Sequence, residues 1–103
     1  MITIQIVRDT QHKMIAFEID GHAGYDEEGH DIVCAAVSGI TLTAALGLRD
    51  YAKAEGSYKN QKGHMSVRIN RPDETTQAIM ETMVLGLDQI SRQYPEFVSI
   101  HEV

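Results

Sequence analysis

The sequence predicts an α+β fold, a two-layer sandwich in which a mostly antiparallel sheet is covered by two helices. Five short segments are predicted to be strands, and three of them, 2–9, 13–20 and 64–70, alternate apolar and polar residues with the period of two that half-buried strands show. Two longer segments are apolar with helical spacing, so the predicted order is β-β-α-β-β-α-β. Hairpins pair their strands antiparallel, and two helices suffice to cover one face of five strands. With 103 residues, the chain is predicted to form a single domain, 1–103.

The first two strands are predicted to form a hairpin over residues 2–9 and 13–20. Isoleucines occupy alternate positions of the first segment, and Ile15, Phe17 and Ile19 continue the alternation in the second. The polar stretch 9–12 between them is predicted to be the turn. Gly21 ends the second strand and opens a loop of about ten residues.

The first helix is predicted to begin after Asp31, whose side chain suits an N-cap, and to continue to about Ala54. Glu55-Gly56 is expected to close it with a glycine C-cap. Apolar side chains occur nearly all round this helix, which indicates burial on more than one side. We expect one side to face the sheet and the other a partner subunit; alternatively, its small Ala and Thr positions simply tolerate exposure.

The second half of the chain repeats the pattern of a hairpin followed by a helix. Strands are predicted at residues 58–61 and 64–70, joined near Lys62-Gly63. An amphipathic helix is predicted over 73–92, and a short strand over 97–103 ends the chain.

Composition excludes several classes of function. Fifteen acidic residues against nine basic ones give a net charge of −6, which argues against direct binding to nucleic acid. We find no apolar segment near the ~20 residues that span a bilayer, so no membrane is expected. A single cysteine cannot form an intramolecular disulfide and fits a reducing compartment. Because the first residues also lack the pattern of a signal peptide, a cytoplasmic location is predicted.

The stretch from Gly21 to Ser38 carries residue types suited to nucleophilic catalysis. With Asp31 as the N-cap, Cys34 becomes the third residue of the helix, where free N–H groups and the helix dipole favour an anion. His22 lies upstream at the end of a strand, so the loop can bring its imidazole to the thiol. A thiol and an imidazole in contact form the activated nucleophile of cysteine hydrolases.

Neighbouring residues could complete such a site. Gly21, Gly24 and Gly29 would let the loop bend and let a substrate backbone approach closely. Ser38 stands one turn after Cys34 on the same face of the helix, where it could hydrogen-bond near the site. Backbone N–H groups at the helix start are expected to form an oxyanion hole.

The residues alone leave other interpretations open. Cys34 could be a buried small hydrophobe, and Asp31 could be only a cap. His22, His30 and Cys34 could ligate zinc, although no fourth ligand is evident. The acidic residues 26–28 could be a solvated tip or could attract a basic substrate.

Two blocks of sequence resemble the signature of a known family. Gly21-His22-Ala23, followed after a glycine-bearing loop by the segment Asp31–Ser38 (DIVCAAVS), is similar to the motif of the bacterial ribosomal-processing cysteine proteases, called Prp. The similarity extends over the whole chain in length and in the predicted order of elements.

The resemblance implies a homodimeric cysteine endopeptidase that needs no metal or other cofactor. Such enzymes remove an N-terminal extension from the twenty-seventh protein of the large ribosomal subunit, cutting after aromatic residues. Cys34 corresponds to the family's nucleophile and His22 to its general base, with Asp31 and Ser38 in supporting roles. The loop between His22 and Asp31 corresponds to the family's mobile segment, which is thought to order around substrate. Gly21, Ala23 and Gly24 are expected to belong to the substrate loop.

Two rival functions remain beside this one. The motif could be the binding loop of a non-enzymatic, ribosome-associated module, or the chain could be a zinc-binding hydrolase. The residues do not show whether the host's ribosomal protein carries the extension, nor which residues flank the cleaved bond. They also leave the dimer interface open, for which the apolar first helix is the candidate.

Overall fold

The predicted α+β order is confirmed in the structure of the protein, a computed structural model that describes residues 1–27 and 31–103. Two α-helices, one of them continued by a π-helical segment, and five strands follow one another along the chain. Their bounds are β1 Ile2–Arg8, β2 Met14–Asp20, α1 Ile32–Leu46 with the π-helical segment Gly47–Tyr51, β3 Gly56–Gln61, β4 His64–Ile69, α2 Glu74–Gln93 and β5 Val98–Glu102.

The five strands form one sheet in the order β3-β4-β2-β1-β5. Three of its four pairings are antiparallel, and β5 lies parallel to β1. Because β2 and β4 are neighbours, the last residue of β2, Asp20, lies opposite the first residue of β4, His64. The chain leaves β2 for the motif loop beside the β3–β4 turn, and this pairing positions the site described below.

Both helices pack on one face of the sheet and form the core with it. The largest fully buried side chains come from both layers, and they include Ile4, Ile6, Phe17, Val67, Val33, Val37, Leu48, Met80 and Leu87. Complete burial of a side chain of this size contributes about 1.5–3 kcal/mol. The N-terminal half of α1, which carries Cys34, is therefore held firmly against the sheet through Val33 and Val37.

The predicted end of the first helix is wrong. The α-helix ends at Leu46 and continues as the π-helical segment to Tyr51, after which Lys53 adopts a positive φ of 55°. Gly56 is not a C-cap but the first residue of β3. A Cβ atom at Gly56 would lie 2.0 Å from the carbonyl oxygen of Arg68, so the glycine permits close contact with β4.

The expectation that no apolar segment reaches membrane-spanning length also needs correction. α1 and the π-helical segment together run from Ile32 to Tyr51, 20 residues long, and by length and composition alone they could cross a bilayer. A core helix passes the same test, and here Val33, Val37 and Leu48 are buried in the core. On the side of α1 that faces away from the core, Leu42 and other large apolar residues are partly exposed.

Candidate active site

Asp31 is the N-cap of α1, as predicted. Its Oδ1 atom accepts hydrogen bonds from the backbone N–H groups of Val33 and Cys34, both at 3.0 Å. The cap places Cys34 in the first helical turn, with its side chain half-buried at the edge of the core. The position and depth of the thiol therefore follow from the cap and from the apolar residues around it.

The loop after β2 passes directly over the thiol. The backbone N–H of Ala23 donates a hydrogen bond to the Sγ atom of Cys34 at 3.1 Å, and Ala23 itself is buried. An N–H donor directed at a sulfur atom stabilises negative charge on it. Since Ala23 follows His22 in the chain, this bond places the backbone of the predicted base beside the predicted nucleophile.

His22 and Cys34 line the same two clefts. The first cleft, of about 480 Å³, is bounded by the loop and the start of α1, including Asp26, Asp31 and Ser38. The second, of about 160 Å³, shares His22, Cys34 and Ser38 with the first and continues between α1 and the β3–β4 turn. The imidazole and the thiol thus face common, solvent-accessible space in which a peptide can contact both.

The second oxygen of the Asp31 carboxylate holds the loop. Oδ2 accepts hydrogen bonds from the backbone N–H groups of Tyr25, at 3.0 Å, and Asp26, at 3.4 Å. Among the hydrogen bonds of residues 1–27 and 31–103, those that reach this carboxylate come from backbone N–H groups, and none comes from His22. Asp31 therefore fixes the helix start and the loop relative to each other.

The same contacts determine how Asp31 titrates. Partial burial works to raise the pKa of this carboxyl, but the four backbone N–H donors stabilise its charged form and outweigh that effect. The pKa consequently lies below its ordinary value of 3.8. The carboxylate is charged, and able to hold both segments, throughout the neutral range.

The prediction that N–H groups at the helix start form an oxyanion hole is wrong for three of these groups. Those of Val33 and Cys34 are bonded to the Asp31 side chain, and that of Ala35 donates to the Asp31 carbonyl oxygen at 3.0 Å. None of them can bind a substrate oxygen unless the cap breaks. The N–H group of Ala23, which already faces the sulfur, is better placed for this role.

An aromatic contact that sequence reasoning missed anchors the loop at a second point. The ring of Tyr25 packs edge-to-face against Tyr94 and Phe97, with centroid distances of 5.6 and 5.3 Å. The partners follow α2, far from Tyr25 in the chain, so no local pattern could reveal the pairing. Tyr25 is therefore held by the Asp31 carboxylate through its backbone and by two aromatic rings through its side chain.

Of the three zinc ligands that the sequence offers as an alternative, the structure describes His22 and Cys34. In the described part of the chain, the one group of side chains close enough to share a metal ion consists of Glu18, Asp20 and His64, without His22 or Cys34. The remaining candidate ligand, His30, lies outside the described residues, as do Gly29 and part of the acidic stretch 26–28.

Comparisons with known proteins show which family the chain resembles. A family model described as cysteine protease Prp matches residues 1–99. The chain is 31% identical over 105 residues to the ribosomal processing cysteine protease Prp of Staphylococcus aureus, covering 98% of both chains. It is 26% identical over 103 residues to the Bacillus subtilis protein of that name, with coverage of 93% and 92%.

Solved structures share the fold over the full length of the chain. The crystal structure of the S. aureus ribosomal processing protease Prp with a covalently linked product peptide superposes with a TM-score of 0.94, at 27% identity and complete coverage of both chains. Protein SMU.848 from Streptococcus mutans gives a TM-score of 0.85 at 30% identity, covering 100% of this chain and 94% of that one.

Proposed function

Because the chain belongs to the Prp family and is a cysteine protease, we propose that it processes a ribosomal protein with a dyad of Cys34 and His22. The proposed substrate is the twenty-seventh protein of the large ribosomal subunit, whose N-terminal extension is removed during ribosome assembly. The names of the relatives support a ribosomal substrate, and the S. aureus structures with bound peptides support a peptide ligand. The observation that carries the proposal is the cleft lined by both Cys34 and His22.

In the proposed mechanism, His22 takes the proton of the Cys34 thiol, and the thiolate attacks the carbonyl carbon of the scissile bond. The tetrahedral intermediate collapses to a thioester when His22 returns the proton to the leaving amine. Water then attacks the thioester, again losing a proton to His22, and releases the new carboxylate and the thiol. The half-buried thiol and the exposed imidazole suit these roles, since only the imidazole must exchange protons with water.

The Ala23 N–H group is the proposed oxyanion donor. In the resting site it points at the Cys34 sulfur, where it stabilises negative charge. As the sulfur bonds to carbon, that charge moves to the neighbouring carbonyl oxygen, and the donor needs only a small shift to follow it. One N–H group thus serves both the nucleophile and the intermediate.

Asp31 and Ser38 have supporting roles in this proposal. Asp31 keeps the helix start and the loop together through its four backbone contacts and does not act on the imidazole. Ser38 lines both clefts one turn after Cys34, where its hydroxyl is available to a bound peptide. Gly21, Ala23 and Gly24 supply backbone close to the sulfur.

Charge fits a basic substrate. The chain carries a net charge of −6, and Asp26 and Asp31 line the larger cleft. Ribosomal proteins that contact RNA are rich in Lys and Arg, so long-range attraction would favour their approach. The same charge argues against direct contact with nucleic acid.

We further propose that the protein acts in the cytoplasm as a homodimer. Ile32, Leu42 and Leu46 expose between 41% and 57% of their surface on α1, and a second copy of the chain could cover them. Isolated exposed apolar residues are common, but three on one helix beside the site favour a contact surface.

The decisive experiment incubates the purified protein with its ribosomal substrate carrying the extension and reads the new N-terminus by mass spectrometry. Cys34→Ala should abolish the cleavage and leave the protein folded, with a modest fall in the melting temperature because the hydrogen bond from the Ala23 N–H group to the sulfur is lost. Gln89→Ala, at an exposed position on α2 away from both clefts, serves as the active control. Cleavage retained by Cys34→Ala would exclude the dyad.

Membership of a cysteine protease family argues against both the non-enzymatic module and the zinc hydrolase. Processing that survives a chelator and is lost on alkylation of Cys34 separates the protease from the zinc enzyme.

A further inference from the structure

Three consecutive residues at the end of β2 are each held by the β3–β4 turn. The Asp20 carboxylate contacts the Nδ1 atom of His64 at 2.5 Å. The backbone N–H of Gly21 donates to the carbonyl oxygen of Gly63 at 2.9 Å. The imidazole of His22 then lies next to the position that a Cβ atom of Gly63 would take. The turn therefore contacts the chain up to and including the proposed base.

Position 63 makes two demands that, of the twenty amino acids, glycine meets best. Its φ of +75° lies in the left-handed region, which glycine adopts without steric cost. A Cβ atom at this position would lie 3.1 Å from Nε2 and 3.6 Å from Cε1 of His22. The distance to Nε2 is shorter than an ordinary van der Waals contact. The imidazole occupies the space that any other side chain would need.

From these contacts we infer that Gly63 is a positioning residue for catalysis, because it provides the surface on which the imidazole of His22 rests. This inference depends on the role of His22 in the proposed function. His22 is exposed, so few other contacts restrict its ring, and the turn limits the orientations that it can adopt. A displacement of about 1 Å in a catalytic group can cost about a hundredfold in rate, and a ring pushed by a few tenths of an ångström should lose several-fold.

Two substitutions separate displacement of the ring from backbone strain. Asparagine tolerates a positive φ better than alanine does, so Gly63→Asn should strain the turn less than Gly63→Ala. Its larger side chain should nevertheless displace the imidazole further. If Gly63 positions His22, cleavage falls about threefold to tenfold in Gly63→Ala and further in Gly63→Asn, while the melting temperature falls more in Gly63→Ala.

The loss of stability that backbone strain alone causes can be measured at another glycine of similar φ, Gly24. Gly24 has nearly the same φ, +74°, and among the described residues no atom lies within 4 Å of the position that its Cβ atom would take. The melting temperature of Gly24→Ala therefore reports the conformational cost of alanine without a clash. Gly63→Ala is expected to melt at or slightly below that temperature, which establishes that it is folded when its activity is measured.

The deciding measurement is the rate at which iodoacetamide alkylates Cys34 across about pH 5 to 9, which involves no peptide substrate. It compares the wild type, His22→Ala, Gly63→Asn and the double variant. We expect the profile of Gly63→Asn to lie between those of the wild type and His22→Ala. We expect the double variant to match His22→Ala, since Gly63 acts through that ring.

Each contrary result has a distinct meaning. A wild-type profile in Gly63→Asn, together with an altered profile in His22→Ala, overturns the role of Gly63 and leaves the dyad intact. A further loss in the double variant beyond His22→Ala shows that Gly63 acts by another route and likewise overturns the inference. Identical profiles for the wild type and His22→Ala exclude the dyad itself, and the role of Gly63 with it.

Discussion

The backbone N–H of Ala23 is bonded to the Sγ atom of Cys34 at 3.1 Å, and Ala23 directly follows His22. The loop is therefore fixed to the nucleophile through its backbone, whereas the imidazole is oriented separately by the β3–β4 turn. Substitutions at the loop anchors should therefore affect how the loop is held, whereas substitutions in the turn should affect the orientation of the imidazole.

Removal of the proposed base, His22, should lower the rate of cleavage and leave the stability of the fold almost unchanged. His22 is exposed, so His22→Ala leaves no buried cavity and should melt close to the wild type. General acid–base catalysis is worth about 10²- to 10⁴-fold, and cleavage of the extended ribosomal protein should fall by that amount. The exposed His12 in the first hairpin turn provides a matched control, because His12→Ala removes an imidazole far from the clefts. An equal loss of activity in both variants would contradict a specific role for His22.

Replacement of Asp31 by Asn should make stability depend less on pH. The folded state lowers the pKa of Asp31, so its charged form adds stability that is complete above the ordinary value of 3.8 and is lost as pH falls through the lowered value. Asn keeps a capping oxygen but not the charge. Asp31→Asn should thus melt below the wild type at pH 7 and approach it in strong acid. Thermal melts from neutral to acidic pH check this, and a constant difference between the two proteins would contradict it.

Loss of the aromatic contacts of Tyr25 should loosen the loop. Tyr25→Ala removes two edge-to-face contacts, each worth about 0.5–1.5 kcal/mol when well packed. Because substrate binding must then order the loop, KM should rise more than kcat falls. Tyr51→Ala is the control, since Tyr51 is 80% exposed and is the last residue of the π-helical segment that follows α1. Faster hydrogen exchange at Tyr25 and Asp26, absent from the control, would identify the loop as the affected segment.

A charge on the outward face of α1 should dissociate the proposed dimer. Leu46 is 41% exposed, and Leu46→Glu would bury a carboxylate in an interface between two copies. Leu85→Glu places the same charge at a 70% exposed position on α2 and should leave assembly unchanged. Sedimentation velocity of the three proteins measures the outcome. A monomeric wild type, or a dimer that withstands Leu46→Glu, would exclude this face as the interface.

Local signals in the sequence predicted most of the fold. Alternating residues located β1, β2 and β4, and Asp31 marked the start of α1, because a cap depends on the few residues beside it. Gly56 misled the prediction, since a glycine that allows close strand contact resembles one that ends a helix.

The missed parts of the site arise from contacts between distant residues. Tyr25 meets Phe97 only after β5 has paired with β1, and His22 meets Gly63 only after β2 has paired with β4. No periodicity encodes such pairs. The helix-start oxyanion hole failed for a related reason, because the Asp31 cap that the sequence predicted uses the very N–H groups that the hole required.

The bond between Ala23 and Cys34 closes a ring of about a dozen residues whose two ends meet at the sulfur. Such a ring can lengthen or shorten at little thermodynamic cost, since doubling the length of a flexible loop costs only about 0.6 kcal/mol. Insertions between the two ends should therefore cost the fold little free energy, provided that the bond to Cys34 is kept. Grafting loops of different sequence onto this framework offers a way to redirect the protease toward new peptides.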